Sequence, residues 1–586
     1  MAISFRNKIL VTQLRLRPRP RHAAALLAAM ALYPAPILLA ASPPIVTPNP
    51  EQEGLPSIRR EEAVPNKEVA TPSLPEVESA IAEQVLPSAI RQITVESPLL
   101  SAEIKKLLNP FIGKDRVTGK ALEQVRGQIW DLYRQRGRLV RVELRAVPGV
   151  EAEGGSTLQA RIEEISVRTV RVEEEGGTAL KQSLLDDILA GVKADLSDGG
   201  ALDLDRLDSR LKRRIFLRDV SVRAALIPVD SGYVDVNVLV RAAPSEPLAW
   251  LVQTDNNGMR TYGRNRSIAA VSIPGHVLPG DQIDILAMTS SGLAYGRAGY
   301  EFPLVQWGAR LNIWGSRLDY RVPSVTNGNA TLLGAGLTFP LYIDNRSTWT
   351  GYANYLHRYE AGKLADNTPS ANKITNSVQG KVDGSYAINQ TQSLHLTMSM
   401  TLGILDLSAL KAAAAQDQAS AKTDGSFTKL EFGAGWNALL GQSGKFDSRL
   451  DVKGQLASKN LDQSEKLPLG GLFGVRAYSA SEGLGDEGYI ASADLGYRPI
   501  NGLRIFGFYD IGRTRLYKRP FGPLDTPTQY TLQGTGVGLT YAYKSLVSSA
   551  TYARQVGANP GLSATGRDAD GSTHRSRLWL SLTWRM

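Results

Sequence analysis

From residue 247 to the C-terminus, apolar and polar positions alternate in short runs separated by polar turns. The run "SLHLTMSMTL" sets Leu394, Leu396, Met398, Met400 and Leu402 on one side, and His395, Thr397, Ser399 and Thr401 on the other. At the end of the chain, "SRLWLSLTWRM" repeats the pattern with Leu578, Leu580, Leu582, Trp584 and Met586. A period of two marks strands whose two faces meet different surroundings. A soluble sandwich also alternates, but this zone is far longer than a sandwich needs. At roughly 20 residues per strand and turn, its length makes about 16 strands. Seven of the eight tryptophans lie here, as the aromatic girdles of a membrane barrel require. In lipid every backbone group needs an internal partner, so such a sheet must close. The pattern predicts an all-β transmembrane barrel over residues 245–586.

Upstream, the period changes and one arrangement occurs twice. "IRQITV" reads as a strand, and Ser101 is placed to cap a short helix carrying Ile104, Leu107 and Leu108. Leu122, Val125, Ile129, Leu132 and Tyr133 then recur at helical spacing, with Gly137 near the C-cap. "RLVRVEL" and "TLQARIEEISV" follow as strands around Gly154–Gly155. The second copy opens with "VRTVRVEE" and predicts helices on Leu180, Leu184 and Ile188, then on Leu204, Leu207, Leu211 and Ile215. It closes with a hairpin turning at Asp230–Gly232, with Val234, Val236, Val238 and Val240 on one face. Two β-α-α-β-β units result, over 88–166 and 167–244, each a small sheet with exposed edges.

The N-terminus changes the picture of where the chain goes. A basic stretch over residues 1–22 precedes "AAALLAAMALYPAPILLAAS", which prolines interrupt and small residues end, so 1–42 read as an export signal. Residues 43–87 are rich in proline and glutamate and read as a linker, with a short amphipathic helix around Val77–Val85. The net charge of +10 owes much to the leader and does not call for a nucleic-acid partner. There is no cysteine, which excludes disulfides and thiolate chemistry. His22, His276, His357, His395 and His574 lie far apart, without metal-ligand spacing. "GTGVGL" at Gly534–Leu539 lacks the helix and lysine of a nucleotide loop and reads as a strand of small residues. Neither catalysis nor a cofactor is expected.

Two motifs remain. "GVRAYSASEGLGDEGY" contains Val475, Arg476, Ala477 and Tyr478, and "LRIFGFYDIGRTR" contains Phe508 and Asp510. With "TDNNGMRTYGRNR" and "LPGDQIDILAMTSSG" ahead of them, and in this order, they resemble the TpsB family of two-partner secretion transporters. The two β-α-α-β-β units are similar to POTRA domains. The resemblance implies a Gram-negative outer-membrane location with the POTRA domains in the periplasm, contact with outer-membrane lipid, and an unfolded secreted partner of the TpsA type. It also implies a long sixth loop folded into the barrel, with Arg476 meeting Asp510 on the wall. Ala477 stands where the family usually has glycine. Met586 ends the chain where phenylalanine is common, so Trp584 and Met586 are the expected C-terminal signal for the barrel-assembly machinery. A barrel-assembly-type insertase and a general porin are the competing readings.

Overall fold

The computed structural model describes residues 89–586, except 115–116, 149–154, 175–184, 187, 191, 194–201, 205–206, 208–210, 212–219, 231–232, 243–247, 276, 278–280, 305–307, 345, 442 and 523–526. The expected export signal, the linker and its helix therefore lie outside the described residues. So do Gly154, Leu180, Leu184, Ile215, Gly232 and His276.

Residues 89–174 and 220–242 form two three-stranded sheets. In the first, β1 (Ile90–Glu96) pairs parallel with β3 (Ser156–Glu164), and β2 (Val140–Pro148) pairs antiparallel on the other side. Helices α1 (Ser101–Leu108) and α2 (Gly119–Arg134) cover one face. They bury Ile104, Leu108, Val125, Ile129 and Tyr133 with Ile90, Leu158 and Ile162. Thr118 caps α2 by accepting the Ala121 N–H through its hydroxyl. Ser101 does not cap α1. It is the first helical residue, its hydroxyl donates to the Ser97 carbonyl, and Leu100 takes the N-cap place in a left-handed conformation.

The second sheet has the order β4-β6-β5, with β4 (Ser166–Glu174) parallel to β6 (Tyr233–Ala242) and β5 (Val220–Asp230) antiparallel to it. Val234, Val236, Val238 and Val240 are fully buried with Ile188, Leu207 and Leu211. The stretch expected as one strand through Val167 breaks at Ile165. There the backbone turns from one sheet to the other, donating to the Leu139 carbonyl and accepting from the Leu202 N–H.

From residue 249 onward the fold is a closed, sixteen-stranded antiparallel barrel. Its strands are β7 (Ala249–Asp255), β8 (Arg266–Pro274), β9 (Gln282–Ser290), β10 (Leu293–Leu304), β11 (Ala309–Val322), β12 (Thr326–Ile343), β13 (Ser347–Leu364) and β14 (Pro369–Ala387). They continue as β15 (Gln392–Asp406), β16 (Gly425–Leu440), β17 (Phe446–Ala457), β18 (Glu487–Tyr497), β19 (Leu503–Arg515), β20 (Gln529–Tyr543), β21 (Leu546–Val556) and β22 (Ser576–Arg585). Neighbours in sequence pair in turn, and β22 closes on β7. The Trp250 and Met586 backbones bond both ways across that seam. Short turns occupy the end where β7 begins. Long loops occupy the other end, among them 407–424, 458–486, 516–528 and 557–575.

The alternation decides which side chains face out. Met398, Met400, Leu402 and Ile404 are about half exposed, whereas Ser399 and Thr401 between them are buried in the interior. Outward aromatics cluster at two levels. Trp250, Trp349, Trp436 and Trp584 lie near the short-turn end, and Tyr355, Tyr359, Tyr489 and Tyr552 lie toward the long-loop end. Not every tryptophan serves as a girdle, however. Trp314 faces inward over Gly334, Trp579 is buried inside, and Trp307 lies outside the described residues.

Candidate functional site

The interior is crossed by the loop 458–486, between β17 and β18. It doubles back on itself: Leu467 and Gly485 exchange two backbone hydrogen bonds of 2.8 Å, and Gly470 bridges Val475. Gly471 and Gly483 make the reversals at positive φ, where a side chain would be strained. Leu469, Val475, Ala477 and Tyr478 are completely buried, packed on Ile490, Phe506, Phe508, Tyr530, Leu532 and Ala553 of the wall. A loop of small and apolar residues is thus anchored inside a barrel whose inner face is mainly polar.

At its centre sits Arg476, only 9 % exposed. Alternation along β19 turns Phe506, Phe508 and Asp510 inward and leaves Ile505 and Tyr509 on the outer face. Asp510 is fully buried and accepts four hydrogen bonds from one residue. The Arg476 backbone N–H reaches Oδ2 at 3.0 Å, Nε reaches Oδ2 at 2.9 Å and Oδ1 at 3.2 Å, and Nη2 reaches Oδ1 at 2.6 Å. Nη2 also donates to Asp494 of β18 at 2.7 Å. The guanidinium lies 3.6 Å from the centroid of the Phe508 ring. Burial alone would push the Arg476 pKa down, but the bonds and charge of Asp510, with Asp494, hold it above the ordinary value. The cation is therefore permanent, and it is shared by two carboxylates and a ring face.

Three features of this site have roles that the sequence pattern does not assign. Asp494 is one. Trp579 on β22 is the second: its indole N–H donates to the Arg476 carbonyl at 2.8 Å, tying the loop to the last strand. The third is the inward glycine stripe of β20. A methyl added at Gly534 would come within 2.8 Å of the Ala477 Cβ, and one at Gly536 would come within 2.7 Å of the Phe508 ring. Gly538 likewise lies under the Phe506 ring. The "GTGVGL" segment is thus a floor of missing side chains. On it the β19 aromatics lie flat and the loop seats its alanine. Ala477 is not among the positive-φ residues, so its backbone makes no demand for glycine.

Charged side chains hold the rest of the loop. Asp462 accepts from Lys373 of β14 at 2.7 Å. Glu465 meets Arg358 of β13 at 3.0 Å and Lys429 of β16 at 3.1 Å. On the far side, Glu482 accepts from the Asn559 amide at 3.0 Å and the Ala569 N–H at 2.9 Å, both in the loop 557–575. Burial pushes the Glu482 carboxyl up to about 7, against the pull of those two donors. Trp584 and Met586 stand away from this site, on the outer face, where Trp584 meets Trp250 edge-on at 5.0 Å. Among the described residues no cluster of His, Asp and Glu could hold a metal ion.

A family model described as haemolysin secretion/activation protein ShlB/FhaC/HecB matches residues 232–541. The chain belongs to this family. ShlB/FhaC/HecB proteins are TpsB-type transporters of the outer membrane, and the sixteen-stranded barrel is the membrane-crossing part of this one. Among curated proteins, the heme/hemopexin transporter protein HuxB of Haemophilus influenzae is 22% identical over 541 residues, covering 89% of this chain and 91% of HuxB. Among solved structures, CdiB from Escherichia coli superposes with a TM-score of 0.56 at 17% identity, over 88% of this chain and 93% of CdiB. CdiB from Acinetobacter baumannii gives 0.54 at 14%, over 86% and 91%. BamA from Haemophilus ducreyi lacking POTRA domains 1–3 gives 0.50 at 13%, over 86% and 100%. The insertase likeness is therefore one of fold.

Proposed function

We propose that this ShlB/FhaC/HecB-family chain is a passive translocator that exports an unfolded partner protein through its barrel. The observation that carries the reading is the loop 458–486, which lies across the interior and is held by charged contacts as well as by its apolar packing. An extended polypeptide cannot share that space, so transport requires the loop to leave its seat, with Arg476 against Asp510 and Asp494 as the latch. Capture falls to the two POTRA-like sheets in the periplasm, whose edge strands β1, β2, β4 and β5 offer unpaired backbone groups. Strand addition at such edges gives affinity without strict sequence demands. No nucleotide is needed if folding outside makes transit irreversible. The last strand, with Trp584 and Met586, serves as the signal for barrel assembly. The name of HuxB makes a protein that handles haem or hemopexin the first cargo to test.

The test is to co-express the chain with a candidate secreted partner bearing a β-helical N-terminal domain. The partner should appear outside the cell only when the chain is present. Removing residues 89–244 should abolish export while the barrel still inserts and conducts. Loss of other outer-membrane barrels on depletion, with partner export unchanged, would instead support the insertase reading.

A further inference from the structure

The outer wall of β18–β21 carries charge where a lipid-facing surface should carry little. Arg513 of β19 and Arg554 of β21 both lie on the outward-facing, exposed side, each two residues from the long-loop end of its strand. Among the described residues neither has a carboxylate partner; Arg513 has only a 3.4 Å hydrogen bond to Gln529. By contrast, the outward Arg317 of β11 is neutralised by Asp319 at 2.9 Å. Beside Arg513, Arg515 pairs with Glu487 at 3.3 Å, and Lys518 contacts the same carboxylate. Among the described residues, Arg513, Arg515 and Lys518 thus lie around the Glu487 carboxylate, and Arg554 lies beyond them on β21.

The surroundings are those of a membrane interface. Tyr489, Tyr509 and Tyr552 are exposed on the same strands, and Tyr489 sits directly across from Arg513 in the ladder. An arginine on the lipid face is costly at the bilayer midplane and nearly neutral at headgroup level, so its place beside a tyrosine belt fixes its depth. At that depth the missing counter-charge is a headgroup phosphate, which a guanidinium binds through paired N–H groups. In the ladder, Arg513 faces Thr531 and Arg554 faces Thr535. Their Cα atoms are therefore two strands across and four residues along, roughly 16 Å apart by strand geometry. Arg513 leans the other way, onto Gln529, so two phosphates on one headgroup are bridged once both long side chains turn inward over that gap.

We propose that this face binds a phosphorylated membrane lipid, with Arg513 and Arg554 each taking a phosphate and the tyrosines packing on the lipid below. The site is independent of the export reading and would exist whatever the barrel carries.

The test uses the full-length protein in nanodiscs of phosphatidylcholine containing a small fraction of diphosphorylated glucosamine lipid, and reads retained glycolipid by native mass spectrometry. Wild-type protein should enrich the diphosphorylated lipid over its dephosphorylated counterpart, and inorganic phosphate should not compete at equal concentration. Arg513→Gln should reduce enrichment about fivefold, and Arg513→Gln with Arg554→Gln about thirtyfold, the scale of one or two cations at a charged membrane surface. The Arg513→Lys, Arg554→Lys pair should keep most of it. Equal retention of phosphorylated and dephosphorylated lipid by the wild-type protein would overturn the proposal, whether or not the glutamine variants fold. So would unchanged enrichment in a folded double glutamine variant.

Discussion

Replacing Asp510 by asparagine keeps the shape of the wall and removes the charge that Arg476 faces. An asparagine oxygen can still accept one or two of the four hydrogen bonds, but its amide presents N–H groups to a donor-only guanidinium. Breaking a buried ion pair by removing one partner costs about 3–5 kcal/mol. Here Asp494 remains at 2.7 Å and the Phe508 ring at 3.6 Å, so part of the compensation survives. The expected weakening of loop seating is about 2–3 kcal/mol. Because the loop opens locally rather than by unfolding the barrel, amide hydrogen exchange over residues 470–483 reads that free energy directly. Exchange there should accelerate at least about thirtyfold, while the barrel strands stay protected. Asp494→Asn should cost about 1 kcal/mol, and the two together should exceed the sum of the singles, because one cation is shared between both carboxylates. Exchange over 470–483 within about threefold of wild type in a folded Asp510→Asn protein would refute the shared-latch account.

Reversing the pair tests the same site by export. Asp510→Arg should impair it, and adding Arg476→Asp should fail to restore it, because the new carboxylate then faces Asp494; partial recovery should require Asp494→Asn as well. Full rescue by the two-residue swap would show that Asp494 is a bystander. Gly534→Ala should loosen the loop by about 1–3 kcal/mol through collision with the Ala477 methyl, and Ala477→Gly in the same chain should recover most of the loss, both read by the exchange of residues 470–483. Glu482 gives the pH dependence: its seated pKa, near 7, lies above the usual value of 4.5, so the seated loop binds more protons than the released one. Its contribution to seating should be fully present below about pH 4.5 and lost as the pH rises through about 7. Glu482→Gln should flatten that profile in exchange measured from pH 5 to 8, and an unchanged profile would contradict it.

Of the candidate site, alternation made one face of β19 readable along the chain, while the pairing of Arg476 with Asp510 was implied by the resemblance to the TpsB family. Alternation alone puts Phe508 and Asp510 on one face of β19, and a buried guanidinium needs a carboxylate. Asp494 and Trp579 were not readable in this way. They lie 18 and 103 residues from Arg476, and nothing local says which inward acid or indole meets the loop. The glycines of β20 had been legible only as small residues, since their use depends on rings from the neighbouring strand. Ser101 misled for a related reason: its type suits a cap, but the backbone places Leu100 there and leaves the serine hydroxyl to bond Ser97.

The sequence by itself determined the architecture, because period-two alternation over more than three hundred residues has few ways to satisfy every backbone group in lipid, and a closed barrel is one of them. It determined the two small sheets for the same kind of reason, through apolar spacing on helices and strands. What only the tertiary structure decided is the traffic inside the barrel. The pairing of β22 with β21 turns Trp579 to the loop, the strand register sets Asp494 opposite Phe508 and diagonal to Asp510, and the path of residues 458–486 selects which of many inward charges become partners. Those pairings are long-range electrostatics in a confined space, and short-range pattern carries no record of them.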